Sequence, residues 1–316
     1  MILITGVGGF AGRHLAHLCA ERGADVAGLG RSERPDLAGL AGYERGVLLN
    51  GPAVRAAVAS LKPERVVHLA AEASVARSWE APAEVIAANV TTSLHLLEAL
   101  RHEVPDARVL MACSGEEYGR PESLPVDETH PLVPKNPYAS SKAMVDQLAA
   151  SYAQLHGMRI VRTRAFNHAG PGQSDTYVVG KFARQIAEAE AHPPTSGRAE
   201  ITTGNLMVRR DFSDVRDVVR AYWMALESGE TGVFNVCSGR STAVSDILTS
   251  LAALSPLDVE CRIDPSRLRE NEVMEIRGSH EKLTKATGWQ PEIELEQTLR
   301  DTLDWWRERV AAGVVG

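Results

Sequence analysis

Cysteine is scarce and scattered: four residues, Cys19, Cys113, Cys237 and Cys261, stand far apart in a chain of 316. Lacking paired spacing, they suggest neither a disulfide frame nor a zinc site, and buried reduced thiols are expected. The ten histidines show no ligand spacing either, so no metal is expected. Long apolar runs are also missing. No stretch approaches the ~20 residues that cross a bilayer, which argues against a membrane protein. Positive charge is in deficit, with a formal net charge of -7, so no cationic stripe is available for nucleic acid or an anionic membrane. A basic, signal-like leader is not seen, because Met1 runs directly into the apolar "ILIT"; a cytoplasmic protein is expected. No internal repeat or low-complexity tract stands out.

What is present is the composition of an ordinary globular protein, 44% hydrophobic and 24% charged, long enough for one large domain and a smaller lobe. Short apolar runs ("MILIT", "ADVAGL", "RVVHLA", "ARVLMAC", "RIVRTR") alternate with amphipathic stretches such as "FAGRHLAHLCAER", which Gly23 closes. That rhythm predicts βαβ units and a parallel sheet covered on both faces: an α/β, Rossmann-like doubly wound fold. After Phe166 it breaks into "NHAGPGQSD" and the aperiodic "AHPPTSGRAE". It recovers where Val215, Val218, Val219, Tyr222 and Leu226 share a helical face ahead of Gly229, followed by the strand-like "GVFNVCS". Residues 1–166 and 211–242 are therefore assigned to a dinucleotide-binding domain. Residues 167–210 and 243–316 are assigned to a smaller C-terminal α/β substrate lobe.

The first chemical motif is "TGVGGFAG", which places Gly6, Gly9 and Gly12 between a strand and a helix. Glycines there permit a tight turn and let backbone N–H groups approach a pyrophosphate at the positive end of a helix. At the end of the second strand, where an acid would meet the ribose hydroxyls of NAD, stand Gly30, Arg31 and Ser32. A guanidinium in place of the acid favours the 2'-phosphate of NADP(H), with NAD(H) a further possibility; the plain alternative is that Arg31 and Arg34 are simply solvated. The second motif is "NPYASSKAM", with Tyr138 and Lys142 four residues apart at the head of a helix predicted to run to Gly157. That spacing shares a helix face, so the ammonium is expected to hold the phenol below its ordinary pKa of about 10. A third element, "ACSGEEYG", follows an apolar strand with a serine and two adjacent glutamates.

Together these elements resemble the extended short-chain dehydrogenase/reductase family over essentially the whole chain. The resemblance rests on "TGVGGFAG", "HLAA" at 68–71, Asn89, Ser114, Tyr138 with Lys142, and "RDF" at 210–212. More narrowly, "RAFNHAGPGQ", "GNLMVRRDFSDVRDVVRAY" and "FNVCSGRS" look like the GDP-4-keto-6-deoxy-D-mannose reductases. The resemblance implies NADP(H)-dependent reduction of the C4 ketone of a nucleotide-linked sugar. Tyr138 would donate the proton, Ser114 would fix the carbonyl, and Lys142 would support the phenol. It also places Gly6, Gly9, Phe10, Gly12, Arg31, Ser32, Leu49, Leu69, Ala70, Ala71, Asn89, Tyr138 and Lys142 against the cofactor. Ser74, Ser114, Glu116, Asn167, Lys181, Arg210 and Arg269 fall on the sugar-nucleotide side. A homodimer built on the two long helices after the third and fourth of these strands is implied as well.

Glu116 stands where related 4,6-dehydratases carry a proton-moving acid, so dehydratase and 4-epimerase chemistry stay open as alternatives. Gly115, which replaces a polar neighbour of that acid, favours the reductase. A noncatalytic dinucleotide-binding sensor is the remaining alternative, and a sensor needs no proton donor. Departures from the family pattern are Ala165 before the Phe166–Asn167 pair, Leu48 and Leu49 where an aspartate often meets adenine, and Glu270 after Arg269. His68, inside an apolar run, reads as a satisfied core histidine. Trp223, Trp305 and Trp306 read as packing groups, the last two within a stripe of Leu295, Leu299, Leu303, Trp306 and Val310.

Overall fold

The computed structural model describes residues 1–30, 33–35, 37, 39–46, 48–265 and 272–314. Its centre is a seven-stranded parallel sheet. In chain order the strands are β1 (Ile2–Thr5), β2 (Val26–Gly30), β3 (Leu40–Arg45), β4 (Arg65–His68), β5 (Arg108–Ser114) and β6 (Arg159–Ala165), with Gly232–Val236 at one edge. In space the order is Gly232–Val236, β6, β5, β4, β1, β2, β3. β1 lies between β2 and β4, so the direction of winding reverses there, and a crevice opens beyond the carboxyl ends of these strands. The doubly wound fold is as expected. β3 is the strand that the apolar rhythm did not show, because "LAGYER" is broken by glycine and ends in charge.

Apolar runs form these strands because both faces are covered. On one face Ile2, Ile4, Val26, Leu110 and Val161 pack under the helices Phe10–Glu21 and Val215–Ser228. On the other, Leu3, Val66, Val109, Met111 and Ile160 pack under Gly51–Leu61, Thr92–Glu103 and Pro137–His156. Val215, Val218, Val219, Tyr222 and Leu226 are all buried, as their shared face predicts. The helix stops also fall where expected: Gly23, Gly157 and Gly229 take positive φ of 70°, 64° and 73°.

A separate core joins the helices Val178–Ala191, Val244–Ala252 and Leu295–Ala311 through Phe182, Ile186, Ile247, Leu251, Leu299, Leu303 and Trp306. The aperiodic stretch expected near 192–200 leads into a strand, Arg198–Thr203, which pairs in parallel with Asp258–Ile263. Leu283 and Trp289, far along the chain, pack back into the core beneath the first sheet face. Cys19, Cys113 and Cys237 are buried free thiols. Cys261 is exposed on the Asp258–Ile263 strand, which corrects the expectation that all four are buried; a short edge pair leaves that face open. No described helix is long and apolar enough to cross a membrane.

Candidate active site

The glycine turn leaves β1 and enters the helix Phe10–Glu21, whose N-cap Gly9 offers no side chain and whose first turn carries no acid. The helix therefore presents its leading N–H groups and its positive end uncovered. Each glycine has its own constraint. Gly6 has φ +72°, and a Cβ on it would stand 2.9 Å from the Ala70 nitrogen. One on Gly12 would lie 2.2 Å from the Gly6 carbonyl oxygen, so helix and turn pack closer than any side chain allows. A flat, acid-free cradle of this kind fits a dinucleotide's pyrophosphate.

Leu69 and Ala70, followed by Ala71, meet the same turn just past the end of β4, and the Ala70 N–H donates to Thr5 Oγ1 (3.3 Å). Behind them His68 is buried, with Nδ1 hydrogen-bonded to Thr5 Oγ1 (2.7 Å) and Nε2 to Ser93 Oγ (3.0 Å). Burial pushes its pKa down to about 3, so it is a neutral core histidine, as read from the sequence. Asn89, in a π-type turn over Ala87–Thr91, accepts from the Glu72 N–H (2.7 Å) and donates to the Glu72 carbonyl (3.0 Å) and Ser141 Oγ (2.8 Å). It thereby ties the chain after β4 to the Tyr138 helix. Ser74 caps the helix Val75–Glu80, its hydroxyl accepting from the Arg77 N–H (3.1 Å). Leu49 is exposed beside buried Leu48, just before Gly51–Leu61. Arg31, Ser32 and Arg269 lie outside the described residues.

Ser114 ends β5 and caps the short turn Gly115–Tyr118: its Oγ accepts from the Glu116 N–H (3.2 Å), while its own N–H donates to Glu117 Oε1 (2.7 Å). Tyr138 arrives from a different part of the chain, because Asn136 caps the helix Pro137–His156 and Pro137 opens it. The Ser114 side chain lies near enough to the Tyr138 phenol to lower its pKa. Both side chains are buried at the carboxyl end of β5, one strand from the crevice. "ACSGEEYG" is thus the floor of this site. Gly115 has a local reason as well: a Cβ there would meet the Phe166 ring at 3.0 Å.

Lys142 does not act as the spacing suggests. Its Nζ donates to the Ala112 carbonyl (2.7 Å), and burial, the largest influence, lowers its pKa against Cys113 and Glu117, which raise it. The phenol of Tyr138 lies above its ordinary value because of burial first. The Ser114 side chain opposes this, Tyr177, Glu116 and Glu117 add to it, and Lys142 is not among the main influences. The expectation of a lowered phenol pKa is therefore corrected: desolvation outweighs the helix neighbour.

On the opposite wall, Asn167 begins a three-residue strand paired in parallel with Phe212–Asp214. Lys181 lies in the first turn of Val178–Ala191. Arg210 donates through Nη1 to the carbonyls of Arg209 (2.9 Å) and Val273 (2.8 Å). Buried Asp211 joins three segments by accepting from the N–H groups of Ser238 (2.7 Å), Gly239 (3.0 Å) and Gly278 (3.1 Å). The loop after Asn167 reaches the glycine turn, where His168 stacks on Phe10 (5.9 Å) and His14 Nε2 is hydrogen-bonded to the Pro171 carbonyl (2.8 Å). Glu116 is half-buried, with Oε2 3.4 Å from Asn136 Nδ2.

Sequence reasoning missed Tyr177, close enough to raise the Tyr138 phenol, and a buried charge cluster behind the site. In it Asp146 accepts from Arg162 Nη1 (2.5 Å) and Arg164 Nε (2.9 Å), and Arg164 Nη1 donates to Tyr118 Oη (2.9 Å). Asp146 follows Lys142 by one helical turn, and alternate residues of β6 carry the arginines; that pairing of periods was the available signal.

Residues 3–302 match the GDP-mannose 4,6 dehydratase family. A GDP-6-deoxy-D-mannose reductase of Pseudomonas aeruginosa is 36% identical, covering 98% of both chains. The solved structure of RMD from Pseudomonas aeruginosa complexed with NADPH superposes with a TM-score of 0.84 at 35% identity, covering 98% of this chain and 99% of that one. Thermus thermophilus UDP-glucose 4-epimerase in complex with NAD gives 0.86 at 30% identity, over 97% and 98%. The glycine turn, the Ser114–Tyr138 pair and end-to-end similarity lead to one assignment: this chain belongs to the GDP-mannose 4,6 dehydratase family of extended short-chain dehydrogenases/reductases.

Proposed function

We propose that this protein uses NADP(H) to reduce the C4 ketone of a nucleotide-linked sugar, with GDP-4-keto-6-deoxy-D-mannose as the substrate. The observation that carries the reading is the neighbouring Ser114–Tyr138 pair, both buried, in the same crevice as an acid-free glycine turn. Bound at Gly6, Gly9, Phe10 and Gly12, the reduced nicotinamide cofactor supplies hydride. Tyr138 gives the proton to the C4 oxygen, and Ser114 holds that oxygen and stabilises the charge growing on it. A phenol whose pKa burial has raised stays protonated at neutral pH, which suits an acid in reduction better than a base in alcohol oxidation. Lys142, anchored on Ala112, holds positive charge beneath the pair. Residues 167–210 and 243–316 supply the sugar-nucleotide wall, with Asn167, Lys181 and Arg210 on it. The similarity to an NADPH-bound reductase supports the cofactor, and NAD(H)-bound relatives keep NAD(H) in view.

Dehydratase chemistry remains the second reading because half-buried Glu116 keeps the acid. Against it, a Cβ at position 115 would already press on the Phe166 ring at 3.0 Å. Incubation with NADPH and the keto sugar should consume the near-ultraviolet absorbance of the reduced nicotinamide. Turnover of GDP-mannose without added reductant would favour the dehydratase instead. Glu116→Gln sharpens the choice: a reductase should lose less than about tenfold, whereas a dehydratase loses its proton-moving group and ~10²–10⁴-fold. A cytoplasmic homodimer completes the proposal; Met144 and Leu155, exposed on Pro137–His156, give its interface apolar anchors, and analytical ultracentrifugation tests it.

A further inference from the structure

Glu117 is the buried ionisable group that the proposed reaction leaves without a role. Its side chain is 0% exposed, enclosed by β5, β6 and the Pro137–His156 helix. One oxygen, Oε1, accepts from the Ser114 N–H (2.7 Å) and so fixes the residue that carries the catalytic hydroxyl. The other, Oε2, is buried with no hydrogen-bond partner, and Arg164 Nε lies 3.6 Å away. Arg164 is turned elsewhere, toward Asp146 and Tyr118. If Glu117 served only to cap the turn, a neutral amide would do so without burying a titratable oxygen. Cys113, Glu117 and Asp146 bring their donor atoms within 4.8 Å of one another, yet Asp146 already holds two guanidiniums and Lys142 is close by. That much positive charge suits a proton better than a metal dication.

We propose that Glu117 is a positioning residue for the reduction: one oxygen fixes Ser114, and the other holds or releases a proton in front of Lys142 and Tyr138. This rests on the reading of Ser114, Tyr138 and Lys142 as the reacting set. The groups facing Glu117 are Cys113 from β5, Lys142, Asp146 and Tyr138 from the helix, and Arg164 from β6. Burial first, then Asp146, raises the Glu117 pKa to about 8, against the Ser114 N–H, Arg164 and Lys142. Below that pH the carboxyl is neutral. As pH rises through it, a negative charge forms that raises the pKa of both Lys142 and Tyr138, so ammonium and phenol keep their protons longer. Glu117 thereby extends the proton-donating state of the site into alkaline solution.

Full-length wild type, Glu117→Gln and Glu117→Ala test this. Gln preserves the acceptor for Ser114 but carries no ionisable proton. It should move the alkaline limb of the kcat/KM profile for the keto sugar down by about one pH unit. Ala also loses the acceptor, and kcat should fall more than about tenfold with the KM for NADPH little changed. Superimposable pH profiles for wild type and Gln would overturn the proposal. Carbon-13 titration of labelled Glu and Lys in the ligand-free protein is independent of turnover. Wild type should show one carboxyl titrating near pH 8, and Lys142 should titrate lower in the Gln variant. If the variants do not fold, an ordinary pKa for the wild-type carboxyl is enough to refute it. If wild type reduces no keto sugar while Lys142 still responds to Glu117, the coupling stands and the functional reading fails.

Discussion

The two ends of the crevice are built from different materials. At the β1 end the surface is backbone: Gly6, Gly9 and Gly12 remove side chains so that a turn, a helix and the chain after β4 approach within contact. At the β5 end the surface is side chain, with Ser114 and Tyr138 placed by partners from several segments, including Glu117, Asn136 and Asn89. A backbone surface tolerates no added atom but asks little of its neighbours' chemistry. A side-chain surface tolerates small changes of shape but depends on the charge of groups buried behind it.

The largest effect should come from the side-chain end. Tyr138→Phe removes the proposed proton donor and leaves the ring's packing, so turnover should fall ~10²–10⁴-fold while cofactor affinity, measured by fluorescence quenching, stays within a few-fold. Loss of both together would mean that the two ends are one structural unit. Asp146→Asn comes next. It leaves the guanidiniums of Arg162 and Arg164, only 15% and 5% exposed, short of their shared charge partner. Urea unfolding should show a loss of ~3–5 kcal/mol. A loss below about 1 kcal/mol would mean that the cluster relaxes to water.

The backbone end should break differently. In Gly12→Ala the new methyl would meet the Gly6 carbonyl at 2.2 Å and the Val7 Cα at 2.8 Å, both backbone atoms that cannot swing aside. Overpacking of this kind costs ~1–3 kcal/mol. Because the displaced atoms are those of the cradle, cofactor affinity should fall further than stability does. Equal losses in Gly12→Ala and in a glycine outside the turn, such as Gly278→Ala against Phe166 and Cys237, would erase the distinction between the two ends.

The same contrast explains what was legible in the sequence. Glycines at fixed spacing and apolar runs at period two or 3.6 are local patterns, so the sheet, most of its strands and the cradle could be read directly. Tyr138 and Lys142 were legible as a helical pair, but the effect of one on the other was not. Their pKa values are set by burial and by groups such as Cys113, Ser114, Glu116 and Glu117, which belong to another strand and turn. Glu117 itself was visible only as one of two adjacent glutamates. Nothing local tells which of the two turns inward, since that follows from the turn that Ser114 caps and from Arg164 in β6. β3 escaped because its inward residues include Tyr43, whose ring lies where a Cβ on Gly28 would stand, 2.7 Å away. That fit couples the two strands, and β3 itself is left with no apolar run.

The smallest prediction tests whether left-handed backbone alone marks the ligand end. Among the described residues Lys62 is the non-glycine with positive φ, 44°, at the stop of Gly51–Leu61. It is exposed and far along the chain from the glycine turn, so no close approach constrains it. An L side chain in this region costs ~1–2 kcal/mol, and glycine recovers that strain while adding entropy to the unfolded chain. Lys62→Gly should therefore stabilise by about 0.5 kcal/mol in urea unfolding and leave turnover unchanged. The reverse exchange at Gly6, where φ is +72° and Ala70 also closes the space, should not be tolerated. Positive φ then reads as a requirement of the turn, and crowding against the next strand, rather than φ, as the mark of the dinucleotide cradle.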